Sequence, residues 1–134
     1  SMPRPISLYP HDPEPVQRVL VLGASGVIGR AIAEAFAQQG AALAVHAHRN
    51  LQAQAELIEY CTTLGAVQLF GVQGDLSDAV RARDIVDAAM NALGGLDVLA
   101  VAIGHADDQP LLMMEPGAMR AALHSNLTPK LVRI

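Results

Sequence analysis

Between Arg18 and Gly104, short apolar runs alternate with segments whose apolar residues recur at helical spacing. Arg18 to Leu22 is rich in β-branched residues, ends at Gly23 and reads as a buried strand. From Val27 the apolar positions Val27, Ile28, Ala31, Ile32, Ala35 and Phe36 follow the i, i+1, i+4, i+5 pattern of a helix face, and Gly40 ends that helix. Residues 41–48, AALAVHAH, predict a second strand. Leu57, Ile58, Cys61 and Leu64 mark the face of a second helix, closed by Gly65, and residues 66–73, AVQLFGVQ, predict a third strand. Ser77 is a candidate N-cap for a third helix whose Ile85, Val86, Ala89, Met90 and Leu93 face inward, with Gly94-Gly95 as its stop. Residues 96–104, LDVLAVAIG, form the near-continuous apolar run expected of a parallel strand covered on both faces. After the polar HADDQP stretch, a last helix is expected from near Pro116 toward the C-terminus.

The order βαβαβαβα predicts an α/β fold, a doubly wound parallel sheet of Rossmann type with right-handed crossovers and strand order 3-2-1-4. Residues 1–17 fall outside this pattern. They are proline-rich, lack periodicity and read as an extended tail, and Ser1-Met2 resembles the scar of a cleaved tag. The 134 residues suffice for one domain with one core. With 51% hydrophobic and 16% charged residues the chain is globular rather than disordered, and with 3% aromatics its core is built from Ala, Val, Leu and Ile. A net charge of −4 and a single lysine, Lys130, leave no basic stripe, so nucleic acid is not an expected partner. Cys61 is the only cysteine, sits on an apolar helix face and reads as a buried, inert thiol. No disulfide can form within the chain, no apolar run reaches the roughly 18 residues of a membrane span, and the N-terminus lacks the apolar core of a signal peptide. A cytoplasmic location, no membrane association and no metal site are the expectations.

Gly23, Gly26 and Gly29 occupy the first strand–helix turn, which in a doubly wound sheet lies at the switch point where ligands bind. Gly23 lets the chain turn off the strand, Gly26 removes a side chain where a pyrophosphate would approach, and Gly29 lets the helix press on the strand. The helix start, at Ile28 and its neighbours, offers unpaired N–H groups and the positive end of the dipole, and Ser25 adds a hydroxyl. A turn that needs glycine only for packing is the alternative.

The stretch LGASGVIG resembles the Thr-Gly-x-x-x-Gly-Ile-Gly turn of the short-chain dehydrogenase/reductase family, in its classical branch, with Leu22 for the Thr and Val27 for the middle Gly. Gly26 instead gives the glycine pattern of the extended, sugar-nucleotide-modifying branch. GDLSD, residues 74–78, is similar to the family's acidic turn after the third strand. The resemblance implies that Asp75 accepts a hydrogen bond from the adenine amino group, with the Leu76 backbone beside it; a helix-capping acid is the alternative for Asp75. LDVLAVAIG aligns with a strand that ends Asn-Asn-Ala-Gly in the family, and Ala102 and Gly104 fall at cofactor-facing positions there. LLMMEPGAMRAALHSNLTPKL resembles the loop and helix of 3-oxoacyl-carrier-protein reductases. Asn126 falls on the Asn that bends this helix and holds a water of the proton relay, and Pro129 stands where the family has Gly. The same resemblance implies a small carbonyl or alcohol substrate, and a homodimer or homotetramer that uses the helix bearing Asn126. It also implies further strands beside residues 96–104, whose apolar run would otherwise be an exposed sheet edge.

An NAD-selecting protein places Asp or Glu at the end of the second strand, on the ribose 2′-hydroxyl. Here no acid lies between Glu34 and Glu56, and His48, Arg49 and Asn50 cluster instead, where a 2′-phosphate would sit. The stretch resembles the HYHRS run of NADPH-dependent pteridine reductases, so NADP(H) is the expected cofactor; an exposed Arg at a helix start is the alternative for Arg49. The family's general acid is a Tyr followed four residues later by Lys. Here Pro13 follows Tyr9 and Leu64 follows Tyr60 at that distance. Residues 18–134 therefore read as a dinucleotide-binding half-domain that ends before the catalytic Ser, Tyr and Lys of an NADPH-dependent carbonyl reductase and is inactive alone. A non-catalytic dinucleotide-binding or sensing module is the alternative. Half of an extended-branch epimerase or dehydratase is a weaker one, disfavoured by the Asn-Leu-Thr run and the short GDLSD turn.

Overall fold

The structure, a computed structural model, describes residues 15–103 and 111–114. In chain order the elements are β1 (Arg18–Leu22), α1 (Val27–Gln38), β2 (Ala42–Ala47), α2 (Leu51–Leu64), β3 (Gln68–Gln73), α3 (Ala79–Leu93), β4 (Val98–Ala102) and β5 (Leu111–Met114). They form one five-stranded sheet in the order β3-β2-β1-β4-β5. The first four strands are parallel, with Val19 beside Leu43 on one flank and beside Val98 on the other. The doubly wound 3-2-1-4 order expected from the alternation of elements is therefore present.

The fifth strand is an addition to that expectation. β5 runs antiparallel to β4, with Ala102 opposite Leu111 and Leu99 opposite Met114, so residues 99–102 of that run are paired within this chain. Four apolar residues carry no period that tells a strand from a turn of helix. The tail up to residue 14, Gly104, Asn126 and the helix expected from Pro116 lie outside the described residues.

Both faces of the sheet are buried. Because side chains alternate along a strand, β1 sends Val19 and Val21 toward α1 and α2, where they meet Leu43, Val45, Leu57, Cys61 and Ala100. Leu20 and Leu22 go toward α3, where they meet Ile85, Val86, Ala89, Leu99 and Val101. Continuous apolar runs in β1, β2 and β4 are the direct result.

The helices depart from the sequence reading in two places. The buried line of α1 is Gly29, Ala33 and Ala37, with Ile32 and Phe36 half-buried beside it. Val27, read as core, is 81% exposed, and Ala31 and Ala35 also face out. Small residues on the inner line let the helix axis come close to the sheet, a signal that hydrophobicity alone does not carry. The N-cap of α3 is Asp78, not Ser77: its carboxylate accepts from the N–H groups of Val80 at 2.9 Å and Arg81 at 3.2 Å. The inner faces of α2 and α3 match the reading, with buried Gln54 added on α2 and Ala82 on α3.

At the N-terminal end of the sheet, Arg18 fastens β1 to the turn before β4. Its Nε and one terminal N–H group donate to the two oxygens of Asp97 at 3.0 Å each, and the other donates to the Gly94 carbonyl at 2.9 Å. Both side chains are more than a third exposed, so this pair fixes register more than it adds stability.

Candidate functional site

The parallel strands all end on the side opposite Arg18, and there the chain leaving β1 passes toward β2 while β4 continues on the other flank. This is the switch point of a doubly wound sheet. A cleft of about 480 Å³ opens at it. The β1–α1 turn lines it with Gly23, Ser25 and Gly26, β2 and its end with His46 and His48, the β3–α3 turn with Asp75, Leu76 and Ser77, and the end of β4 with Ala102 and Ile103. Seven of the residues singled out in the sequence thus meet in one place: Gly23, Ser25, Gly26, His48, Asp75, Leu76 and Ala102. Ile28, Gly29, Arg49 and Asn50 do not line it.

The three glycines have separate tasks. Gly23 has φ +76°, and a side chain there would run into the Ala102 carbonyl of β4, so both conformation and space exclude one. A side chain at Gly29 would enter the Gly23 carbonyl and Ala24, which makes Gly29 the point of helix-to-turn packing. Gly26, with φ −81° and ψ 170°, has a backbone that any residue adopts. It is the N-cap of α1, donates its N–H to the Gly23 carbonyl at 3.2 Å and lines the cleft. No side chain caps α1 and no acid stands in its first turn, so the first-turn amides, that of Ile28 included, have neither competitor nor counter-charge.

Across the cleft, Asp75 accepts two hydrogen bonds on Oδ1, from the Ser77 N–H at 2.9 Å and the Ser77 hydroxyl at 2.7 Å. These bonds, aided by the charges of His48 and Arg49, hold its carboxyl below the usual carboxylate range. Asp75 is therefore an ionised acceptor with Oδ2 outside both bonds, and the helix-capping role belongs to Asp78. Beyond β2, His48 and Arg49 are exposed. Asn50 caps α2, its Oδ1 accepting from the Ala53 N–H at 3.0 Å.

His46 is the residue that sequence reading missed. It is 2% exposed, the one buried histidine among the described residues, and its ring joins two loops. Nδ1 accepts the Gly23 N–H at 3.0 Å, and Nε2 lies 2.7 Å from the Gly74 carbonyl, to which it donates. That pair of partners selects the neutral Nε2–H tautomer, and burial lowers the ring's pKa from its ordinary value. The available signal was a lone histidine inside the apolar run ALAVHA.

A family model described as short chain dehydrogenase matches residues 17–132. An uncharacterized oxidoreductase of Methylorubrum extorquens is 42% identical over 80 residues, 60% of this chain and 32% of that protein. A hydroxysteroid 11-beta-dehydrogenase 1-like protein of Xenopus laevis is 40% identical over 92 residues, 67% of this chain and 31% of that protein. The chain thus spans about a third of the length of these curated relatives. Among solved structures, a short chain dehydrogenase from Burkholderia cenocepacia in complex with NADP is 35% identical, with a TM-score of 0.59 over 62% of this chain and 34% of that one. An alcohol dehydrogenase from the archaeon Thermococcus sibiricus, complexed with 5-hydroxy-NADP, is 27% identical with a TM-score of 0.58, over 63% of this chain and 36% of that one.

Proposed function

The chain belongs to the short-chain dehydrogenase family, and from that premise we propose that it forms the NADP(H)-binding half of an oxidoreductase acting on a small carbonyl or alcohol substrate. One observation carries the reading: a single cleft has the open N-terminus of α1 on one side and an ionised Asp75 on the other, with His48 and Arg49 beyond it. The donor set suits the ligand. First-turn amides and Ser25 hold a pyrophosphate, Asp75 accepts from the adenine amino group, and Arg49 with His48 pairs a 2′-phosphate. No acid stands between Glu34 and Glu56 to repel that phosphate. When bound, NADPH supplies a hydride. The residues described here bind and orient it and bring no proton donor: Tyr60 lies 45% exposed on α2, with Leu64 in the place of a lysine.

In this proposal, the proton donor and the substrate pocket come from the remainder of a longer, oligomeric, cytoplasmic enzyme with a 3-oxoacyl-like substrate. A second reading, a binding or sensing module without chemistry, rests on Ala102 and Ile103, which give β4 an apolar end where the family carries Asn and Ala. Calorimetry tests the cofactor assignment. A charge-assisted phosphate contact contributes on the order of 1.5–3 kcal/mol. Arg49→Ala is therefore expected to weaken NADPH roughly tenfold or more and to leave NADH nearly unchanged; equal losses for both would overturn the assignment. Reductase activity in a longer natural chain containing Tyr-x-x-x-Lys would decide between enzyme and module.

A further inference from the structure

We infer that His46 is a positioning residue that fastens the glycine turn to the Asp75 turn, so that the two loops clasping a dinucleotide move as one. The inference rests on the cofactor reading above for its purpose, and on geometry for its mechanism. The ring sits between strands β1 and β3 at their cleft-side ends. It accepts from Gly23, the residue that opens the glycine turn, and donates to Gly74, the residue before Asp75. The His46 main chain adds a third tie, accepting the Ala24 N–H at 2.9 Å. Gly74, at φ +152°, holds a conformation that side chains rarely adopt, and a Cβ there would come within 2.9 Å of the Arg81 and Ile85 side chains of α3. The loop that receives the imidazole N–H is thus itself pressed onto α3.

An imidazole in this seat works only when neutral. A proton on Nδ1 would turn the acceptor of the Gly23 N–H into a second donor, and the bond would be lost. The titratable groups set around the ring and its Gly74 partner are His48, two residues on along the chain, Asp75 beyond Gly74, and Arg81 on α3. β1 and β4 bring only main chain and apolar side chains to this end of the sheet among the described residues. His48 opposes a charge on His46, in the same sense as burial does. Acidification is therefore expected to release the glycine turn, and with it the pyrophosphate side of the cleft.

The test uses the whole chain with NADP⁺ and NAD⁺ as probes, the second lacking the 2′-phosphate and its own ionisation. Wild-type affinity for both is expected to hold through the ordinary imidazole range and to fall as pH is lowered below it, where the buried ring takes its proton. His46→Ala is expected to bind both at least tenfold more weakly at neutral pH. His46→Gln, which offers one acceptor and one donor without ionising, is expected to recover most of the affinity and to flatten the NAD⁺ profile. Wild-type affinity and wild-type pH dependence in both variants would overturn the inference. Amide exchange gives a readout that needs no nucleotide: the Gly23 N–H is expected to exchange at least tenfold faster in His46→Ala than in wild type or His46→Gln. Unchanged exchange would refute the fastening even if nucleotides bind. Faster exchange in a protein that binds neither nucleotide would support the fastening and refute the cofactor reading.

Discussion

Gly26 lines the cleft while Gly29 packs the helix against the turn, and that difference separates binding from folding. Gly29→Ala drives a methyl group into the Gly23 carbonyl. It is expected to cost about 1–3 kcal/mol, visible as a lowered urea midpoint. Gly26→Val meets no conformational bar, because its φ and ψ are extended. It is expected to keep the midpoint but abolish NADP⁺ binding in calorimetry, and normal binding would reduce Gly26 to a packing residue. Cys61 gives a third readout. Burial pushes its thiol up to about 11, so an aromatic disulfide reagent is expected to leave it untouched in the native protein and to modify it once urea unfolds the chain. The glycine turn was legible in the sequence because its spacing is local. The division of tasks among its members was not, since it depends on Ala102 of β4. His46 was hidden for the same reason: its acceptor, Gly74, lies 28 residues further on.

Elements were easiest to read where glycines bracket a continuous apolar run. β1, β2 and β4 lie on both cores, and their only polar residues are Arg18 at the start of β1 and His46 near the end of β2. α1 was read a turn of the wheel away from its true inner line, because alanine and glycine, which mark its contact with the sheet, weigh less than Val27 on any hydrophobic scale. The start of α3 was misplaced by one residue. Ser77 and Asp78 are both good caps; the Asp78 carboxylate takes the Val80 and Arg81 N–H groups, while the Ser77 hydroxyl turns back to donate to Asp75. Asp78→Ala is thus expected to cost about 1 kcal/mol of stability by urea titration. Ser77→Ala is expected to spare the helix and to let the Asp75 carboxyl titrate closer to its ordinary value in an NMR pH series. A loss from Ser77→Ala as large as that from Asp78→Ala would return the cap to Ser77.

Across the whole molecule, the shifted carboxylates and imidazole act in one direction. Asp75 and Asp97 sit below the usual carboxylate range, held by Ser77 and Arg18, and His46 sits below the usual imidazole range through burial. In each case the unfolded chain binds the proton more readily than the folded one, so stability rises with pH. The contribution of His46 is present in full above the ordinary imidazole value and is lost as pH falls from there toward the folded one. Those of Asp75 and Asp97 follow through the carboxylate range. Urea midpoints measured from pH 8 downward are expected to fall in these two stages, and a midpoint that rises on acidification would contradict the assignments. The order of the first four strands was legible because alternating strands and helices admit few topologies. The return of β5 was not, because its pairing depends on β4 and not on its own four residues.

The central position of β1 also sets a schedule for synthesis. Its partner on one flank, β2, follows within a few seconds of translation. The anchor of its other flank, Asp97, is 79 residues behind Arg18. At about 5–20 residues per second, that is a wait of roughly 4–16 seconds. Throughout it, the growing polypeptide carries the strand RVLVL with one side unclaimed. A nascent chain stalled before β4 emerges is therefore the species most open to pairing with a neighbour on the same polysome, and the one that gains most from a chaperone that shields apolar strands.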